Sequence, residues 1–173
     1  MKVAVAGTGY VGLVTGVALA HIGHQVTCVD VDKEKIEIMK KGISPIYEQD
    51  LEKLMKENEE RLDYTLDYQK AYKDAEVIII GVGTPEREDG SANLDYVYSV
   101  CKQIASSLEK DCVVVLKSTV PIGTNDEIEK IKNQFIHVEK EQNVEYPKNI
   151  IAIASDYYEA KVRDDIPFTN VGY

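Results

Sequence analysis

The feature of this sequence that most constrains its fold is a glycine-rich turn near the start of the chain. Residues 7–12 read Gly-Thr-Gly-Tyr-Val-Gly, the apolar run of residues 2–6 precedes them, and residues 11–21 have the small and aliphatic composition of a buried helix. Glycine turns alone are common and often have purely structural roles. Here the turn leads from a short apolar strand directly into a helix, which is the context of a strand–turn–helix unit in a parallel sheet.

The spacing of the glycines gives each of them a distinct role in such a unit. Gly7 permits the tight turn, Gly9 lets the backbone approach a pyrophosphate, and Gly12 lets the helix pack closely on the strand. The N-terminus of the helix adds N–H groups and a partial positive charge. Asp30 closes the second predicted strand, where its carboxylate can accept hydrogen bonds from both hydroxyls of a ribose and would repel a 2′-phosphate. These residues predict a dinucleotide site that favours NAD over NADP.

The rest of the chain alternates short apolar runs with helical patterns. The further predicted strands are residues 25–30, 62–66, 76–81, 112–116 and 150–154, and the further predicted helices are residues 33–41, 50–60, 68–73, 94–108 and 124–135. Asp50 is expected to cap the helix of residues 50–60. Continuous apolar strands separated by helices indicate a parallel sheet covered on both faces. The predicted fold class is therefore α/β, a doubly wound, mostly parallel sheet of the Rossmann type, over residues 1–154.

The composition limits the kinds of partner and location. The chain has 173 residues and a net charge of −10, whereas a nucleic-acid surface needs clustered Lys and Arg, so no nucleic-acid partner is expected. Neither a signal peptide nor an apolar run of membrane-spanning length is recognisable, so no membrane partner is expected. The odd number of cysteines, far apart in the sequence, favours a reducing cytoplasm. His21 and His24 flank a turn at Gly23 and do not predict a metal site.

Four segments in order resemble the UDP-glucose/GDP-mannose dehydrogenase family. The glycine turn is the first, and Ser44-Pro45-Ile46-Tyr47-Glu48 is the second. Val82-Gly83-Thr84-Pro85, followed by Asp89-Gly90-Ser91-Ala92-Asn93-Leu94, resembles the family's V-G-T-P…D-G-S-A-D-L segment, and residues 117–124 match its K-S-T-V-P-x-G-T segment. Four motifs in the family's order are far more specific than one glycine turn. The Asp-Gly-Ser-Ala form is closer to the family's UDP-glucose branch than to its GDP-mannose or N-acetylmannosamine branches.

The resemblance implies an NAD-dependent oxidation of a nucleotide sugar, in which the C6 alcohol becomes a carboxylate in two steps. UDP-glucose is the expected substrate. The implied cofactor contacts are Gly7, Gly9, Tyr10, Val11, Gly12, Asp30, Lys35, Gly83, Thr84, Pro85, Ser118 and Thr119. By the same resemblance, Thr119 is catalytic and helps to position a water beside the reacting carbon. The residues themselves leave a structural alternative open, in which Lys35 is a solvated helix lysine and Ser118 and Thr119 cap the following loop and helix.

The family's later segments are not recognisable in this chain. Its nucleophile is a cysteine in a G-x-C-x-P-K-D context, which forms a thiohemiacetal on the way to a thioester. Cys28, Cys101 and Cys112 lack those neighbours and are predicted to be core residues. Residues 155–173 are predicted to be a C-terminal tail. We therefore expect an N-terminal part or a shortened relative of such an enzyme, inactive alone, with any homo-oligomer formed through regions that this chain lacks.

Two other functions stay open at this stage. One is a stand-alone NAD-binding module without chemistry, and the other is a dehydrogenase acting on GDP-mannose or UDP-N-acetylmannosamine. A hydroxyacyl-CoA dehydrogenase has the same broad fold, but Tyr10-Val11 in the turn and the segment of residues 117–123 disfavour it.

Overall fold

A single six-stranded parallel sheet organises the part of the chain described by the computed structural model, residues 1–128 and 150–154. Its strands are β1 (Lys2–Ala6), β2 (Gln25–Val29), β3 (Leu62–Thr65), β4 (Val77–Ile80), β5 (Cys112–Leu116) and β6 (Ile150–Ala154). The spatial order is β3-β2-β1-β4-β5-β6, and every neighbouring pair is parallel. This is the strand order of a doubly wound dinucleotide-binding sheet, and it reverses direction between β1 and β4. The predicted fold class is confirmed.

Helices follow the strands and cover both faces of the sheet. They are α1 (Tyr10–His21), α2 (Lys33–Met39), α3 (Leu51–Glu57), α4 (Tyr68–Lys73) and α5 (Asp95–Ser107). Residues 124–128 are also helical, and the rest of the helix predicted to residue 135 lies outside the described residues. The predicted tail of residues 155–173 lies outside them as well. No helix in the described ranges is long and apolar enough to cross a membrane.

Alternate side chains of β1 enter two separate cores. Val3 and Val5 belong to the core that lies between the sheet and α1, α2 and α3. Ala4 and Ala6 belong to the core on the opposite face, together with side chains of α4 and α5. The side-chain period of two along a strand explains why one apolar run supplies both cores.

The predicted cap of α3 was wrong. Asp50 precedes the helix in a left-handed conformation, with φ of 61°, and its side chain caps no N–H group of the described chain. Aspartates do cap two other helices: Oδ1 of Asp32 accepts from the N–H groups of Glu34 and Lys35 at the start of α2, and Oδ1 of Asp67 accepts from the N–H of Lys70 in α4. A left-handed backbone turns the Asp50 side chain away from the capping position, and the sequence pattern did not reveal this conformation.

Candidate dinucleotide-binding site

The glycine turn joins β1 to α1 at the carboxyl edge of the sheet. Gly7 has a φ of +93°, which favours glycine, and a Cβ at this position would lie 2.9 Å from the carbonyl oxygen of Gly81. Its N–H donates to the carbonyl of Val29 at 2.8 Å, so the turn is fixed to the end of β2. The predicted role of Gly7 in the tight turn therefore has a direct structural basis.

The N-terminus of α1 is open at Gly9. Gly9 is the N-cap residue in an extended conformation, and no side chain of the described residues caps the helix or places an acidic group in its first turn. A Cβ built on Gly9 would meet no heavy atom of the described chain within 4 Å. The first N–H groups of a helix have no intrahelical acceptor and carry a partial positive charge. This geometry fits a pyrophosphate held by backbone donors.

Close backbone contact holds α1 against the sheet. A Cβ on Gly12 would lie 2.0 Å from the carbonyl oxygen of Gly7, and a Cβ on Gly81 would lie 2.9 Å from the Cα of Gly12. Gly12 thus has the packing role that its position in the turn predicted. Gly81 was missed, although it follows the apolar run of β4 directly, and glycine at the end of a buried strand is a signal of close backbone approach.

Asp30 lies beside the turn at the end of β2, as predicted. Its Oδ2 accepts from the N–H of Thr8 at 2.8 Å and from the Thr8 hydroxyl at 2.5 Å, while its Oδ1 accepts from the N–H of Asp32 at 3.0 Å. Partial burial raises the pKa of Asp30. The hydrogen bonds from the Thr8 hydroxyl and from the amides of Asp32 and Thr8, with the charge of Lys35, lower it below its ordinary value overall. The carboxylate is therefore ionised at neutral pH. The contribution of Thr8 was not recognised from the sequence.

The loops that follow β4 and β5 are tied to each other. The Thr84 hydroxyl donates to the carbonyl of Thr119 at 2.7 Å, and the Ser118 hydroxyl donates to the carbonyl of Val82 at 2.7 Å. Ser118 is buried, whereas Thr119 is exposed. The structure thus brings together the two segments predicted to contact the cofactor. Because the Ser118 hydroxyl is engaged in this hydrogen bond, its role in the described structure is to connect the two loops.

An open cleft of about 580 Å³ lies between the start of α1 and the loop after β5. Its lining includes three residues predicted to be in the site, Tyr10, Val11 and Thr119, and also Val14, Thr15, Glu48 and Lys117. The Tyr10 hydroxyl donates to the carbonyl of Tyr47 at 2.9 Å, which fixes the loop that contains Glu48 at the rim. Glu48 and Lys117 stand in the motifs singled out by sequence, but their place in the cleft was not predicted.

The three cysteines are buried and free, which confirms their assignment to the core. Burial raises the pKa of the Cys28 thiol to about 12, with a further contribution from the charges of Asp63 and Asp30. Burial likewise raises the pKa of Cys101 to about 12 and that of Cys112 to about 11. A thiolate is the nucleophilic form of cysteine, so none of these side chains is suited to attack a substrate at neutral pH.

Comparison with known proteins agrees with this geometry. Residues 1–155 match the family model described as the UDP-glucose/GDP-mannose dehydrogenase family, NAD binding domain. The UDP-glucose 6-dehydrogenase YwqF of Bacillus subtilis is 54% identical over 128 residues, which cover 73% of this chain and 29% of that protein. The UDP-glucose 6-dehydrogenase of Rhizobium meliloti is 49% identical over 134 residues, covering 76% of this chain and 31% of that protein. The chain thus spans less than a third of the length of these relatives.

Solved structures of dehydrogenases that act on nucleotide sugars are also similar to this chain. A ternary complex of GDP-mannose dehydrogenase from Pseudomonas aeruginosa superposes with a TM-score of 0.75 at 36% identity, over 78% of this chain and 32% of that chain. A UDP-glucose dehydrogenase from Pyrobaculum islandicum superposes with a TM-score of 0.74 at 28% identity, over 88% of this chain and 34% of that chain.

Proposed function

Because the chain belongs to the UDP-glucose/GDP-mannose dehydrogenase family, as an NAD-binding domain, we propose that it holds NAD for the oxidation of UDP-glucose to UDP-glucuronate. The observation that carries the proposal is the arrangement of Asp30 beside the open N-terminus of α1. Bound NAD would supply the hydride acceptor for the oxidation of the sugar. The residues of this chain supply binding and orientation, which hold the reacting groups together.

Different described residues fit the pyrophosphate and the ribose of a dinucleotide. The N–H groups that follow Gly9 suit a pyrophosphate, because they are uncapped and open to an anion. Asp30 suits a ribose hydroxyl, since a carboxylate accepts hydrogen bonds and repels a 2′-phosphate. Lys35 acts electrostatically on Asp30 from α2. Its predicted contact with the cofactor stays a prediction, as do the contacts of Gly83, Thr84 and Pro85.

The cleft favours a role for Thr119 near the reacting carbon. Thr119 is exposed and lines the cleft together with Tyr10, and its carbonyl accepts a hydrogen bond from the Thr84 hydroxyl. Its hydroxyl is therefore available to hold a water, which is the catalytic role implied by the family. Lys117, which lines the same cleft, adds a positive charge suited to an anionic nucleotide.

Two observations bear on the substrate and on the role of the chain by itself. The curated relatives with the highest identities quoted above are UDP-glucose 6-dehydrogenases, which supports UDP-glucose over GDP-mannose. The burial of all three thiols favours the second candidate function, an NAD-binding module without chemistry, for the chain on its own.

Cofactor titration tests the first part of the proposal. Titration calorimetry with NAD and NADP is expected to give tighter binding of NAD, and Asp30→Asn should narrow the difference because it removes the charge while keeping the shape. Asp74→Asn, at an exposed aspartate after α4, is the matched control and should leave both affinities unchanged. Equal affinities for the two cofactors in the wild type would contradict the proposal.

A chimera tests the assignment to UDP-glucose oxidation. The matching segment of this chain would replace the NAD-binding segment of the Bacillus subtilis UDP-glucose 6-dehydrogenase. We expect NADH formation with UDP-glucose in the presence of NAD. A folded chimera that binds NAD but yields no NADH would count against the assignment.

A further inference from the structure

Thr8 lies between the first two glycines of the turn and is directed at Asp30. Its side chain is fully buried, at 0% exposure, although a turn residue of this kind is usually solvated. The N–H and the hydroxyl of Thr8 both donate to the same carboxylate oxygen, Oδ2 of Asp30, at 2.8 Å and 2.5 Å. Hydrogen bonds to an ionised acceptor are short and about twice as strong as neutral ones. These two hydrogen bonds, the Thr8 clamp, therefore hold one carboxylate oxygen of Asp30 in place.

The clamp limits what Asp30 can offer to a ligand. A carboxylate has about four lone-pair sites for donors, two on each oxygen. Thr8 takes both sites on Oδ2, and the N–H of Asp32 takes one on Oδ1 at 3.0 Å. One acceptor site is left, on Oδ1. The sequence-based expectation that Asp30 accepts from both ribose hydroxyls requires two.

We propose that Thr8 is a positioning residue that determines cofactor specificity, because it fixes the Asp30 carboxylate so that Oδ1 alone receives one ribose hydroxyl. A fixed carboxylate cannot rotate away from a 2′-phosphate, so the same clamp sets the preference for NAD over NADP. This inference rests on the proposed NAD-binding function.

The Thr8 clamp also affects the pKa of the Asp30 carboxyl group. Burial raises the pKa of Asp30, and among the groups that lower it the Thr8 hydroxyl contributes most. The ionisable groups near this corner include Asp32, which caps α2, Lys35 of α2 and Cys28 of β2. They also include two residues of β3: Asp63, which acts with Asp30 on Cys28, and Tyr64, on which Cys28 acts. Removing the hydroxyl therefore raises the pKa of Asp30. In an acid titration the variant would lose the negative charge that repels a 2′-phosphate at a higher pH than the wild type does.

Two variants at this position separate the hydroxyl from the shape of the side chain. Thr8→Val keeps the branched shape and removes the donor, whereas Thr8→Ser keeps the donor. The affinities for NAD and NADP would be measured by titration calorimetry between about pH 5 and pH 8, a range that begins just above the ordinary pKa of Asp. Comparing variants at equal pH cancels the titration of the NADP phosphate itself.

We expect the NAD-to-NADP affinity ratio to fall about tenfold in Thr8→Val, the usual size of an effect from a hydrogen bond to a charged group. The fall should be larger at the acidic end of the range, and Thr8→Ser should restore the wild-type ratio. A wild-type ratio in Thr8→Val at every pH, or a Thr8→Ser variant that behaves like Thr8→Val, would overturn the inference while leaving the NAD-binding function intact. A wild type that binds neither cofactor would instead overturn the proposed function, and the inference with it.

A measurement on the wild type covers the case in which Thr8→Val does not fold. The carboxyl ¹³C resonance of Asp30 would be titrated by NMR without nucleotide. We expect its midpoint below the ordinary value for aspartate. A midpoint at or above that value would show that the clamp does not hold the ionised carboxylate, and would refute the inference.

Discussion

Single residues of the glycine turn have separable physical functions. Gly7 is needed for its positive φ, and Gly12 for the closeness of α1 to the turn. At Gly9 neither reason applies, because its backbone is extended and a Cβ there would meet no described atom within 4 Å. A side chain at Gly9 should therefore affect the ligand more than the fold.

The Gly9→Val variant tests this separation. We expect it to fold with nearly wild-type stability and to lose about 100-fold in NAD affinity, or about 3 kcal/mol, because the branched side chain occupies the space that a pyrophosphate needs. Circular dichroism and titration calorimetry would measure the two effects. Ala18→Val, at an exposed position of the same helix, is the control and should bind NAD normally. Normal NAD binding by a folded Gly9→Val would mean that the glycine turn is not the site.

At the scale of elements, α1 approaches the end of β4 too closely to leave room for a side chain at Gly81. Gly81 and Gly12 meet through backbone atoms, whereas Gly83, two residues later, is exposed with open space around its Cβ position. Gly81 and Gly83 of the same loop are therefore a matched pair for substitution. A side chain at Gly81 would meet the backbone of α1, whereas a side chain at Gly83 would meet open space.

Gly81→Ala should destabilise the fold by about 2 kcal/mol, since overpacking a close contact typically costs 1–3 kcal/mol. Gly83→Ala should leave stability nearly unchanged. Urea denaturation followed by circular dichroism would measure both free energies of unfolding. If the two variants lost equal stability, the contact between Gly12 and Gly81 would not be limiting.

The start of α2 depends on a different interaction. Asp32→Ala removes the acceptor for the N–H groups of Glu34 and Lys35 and should cost about 1 kcal/mol of stability. Asp32→Ser keeps a side-chain oxygen at the cap and should recover most of the loss in the same denaturation experiment. A Ser variant as unstable as the Ala variant would show that the effect does not come from capping.

At the scale of the whole molecule, the candidate cofactor site and the three cysteines lie in different parts of the fold. The groups that we propose to bind the cofactor collect at the carboxyl edge, where a doubly wound sheet binds ligands at the reversal of strand order. The cysteines lie within the two cores. The fold therefore exposes Gly9 and Thr119 at this edge while it buries every thiol of the chain.

The chain by itself should bind NAD but not produce UDP-glucuronate. Without a reactive thiol, the aldehyde formed in the first oxidation has no covalent route to the acid. Incubation with NAD and UDP-glucose, followed at the absorbance of NADH, should show at most a trace of product. Steady formation of two NADH per sugar would mean that a cysteine assigned to the core is the nucleophile.

Thiol accessibility gives an independent check on the same assignment. Native protein should react with a disulfide reagent far more slowly than protein unfolded in guanidinium chloride, in which all three cysteines of the chain become available. Rapid labelling of one cysteine in the native state would identify the residue to substitute in the activity assay.

Local sequence patterns were sufficient for the elements and for the general place of the site. Apolar runs bounded β1 and β5 at the residues found, and the spacing of Gly7, Gly9 and Gly12 indicated the strand–turn–helix unit and its ligand class. These features depend on neighbours in the chain and on backbone geometry, so their signal is local. The carboxylate at Asp30 was recognisable for the same reason, because its distance from the turn is a property of one strand–helix–strand unit.

Only the tertiary structure decided which groups meet across the site. The clamp of Thr8 on Asp30, the contact of Gly12 with Gly81 and the bond from Thr84 to Thr119 join residues far apart in the chain. The left-handed backbone of Asp50 is also a feature that the pattern of residues before α3 did not reveal. The sequence determined that a glycine turn between strand and helix would form at this edge, because strand, turn and helix patterns are local. The partners of each polar group were decided by the packing of separate strand–helix units on one sheet, which brings distant donors and acceptors within hydrogen-bonding distance.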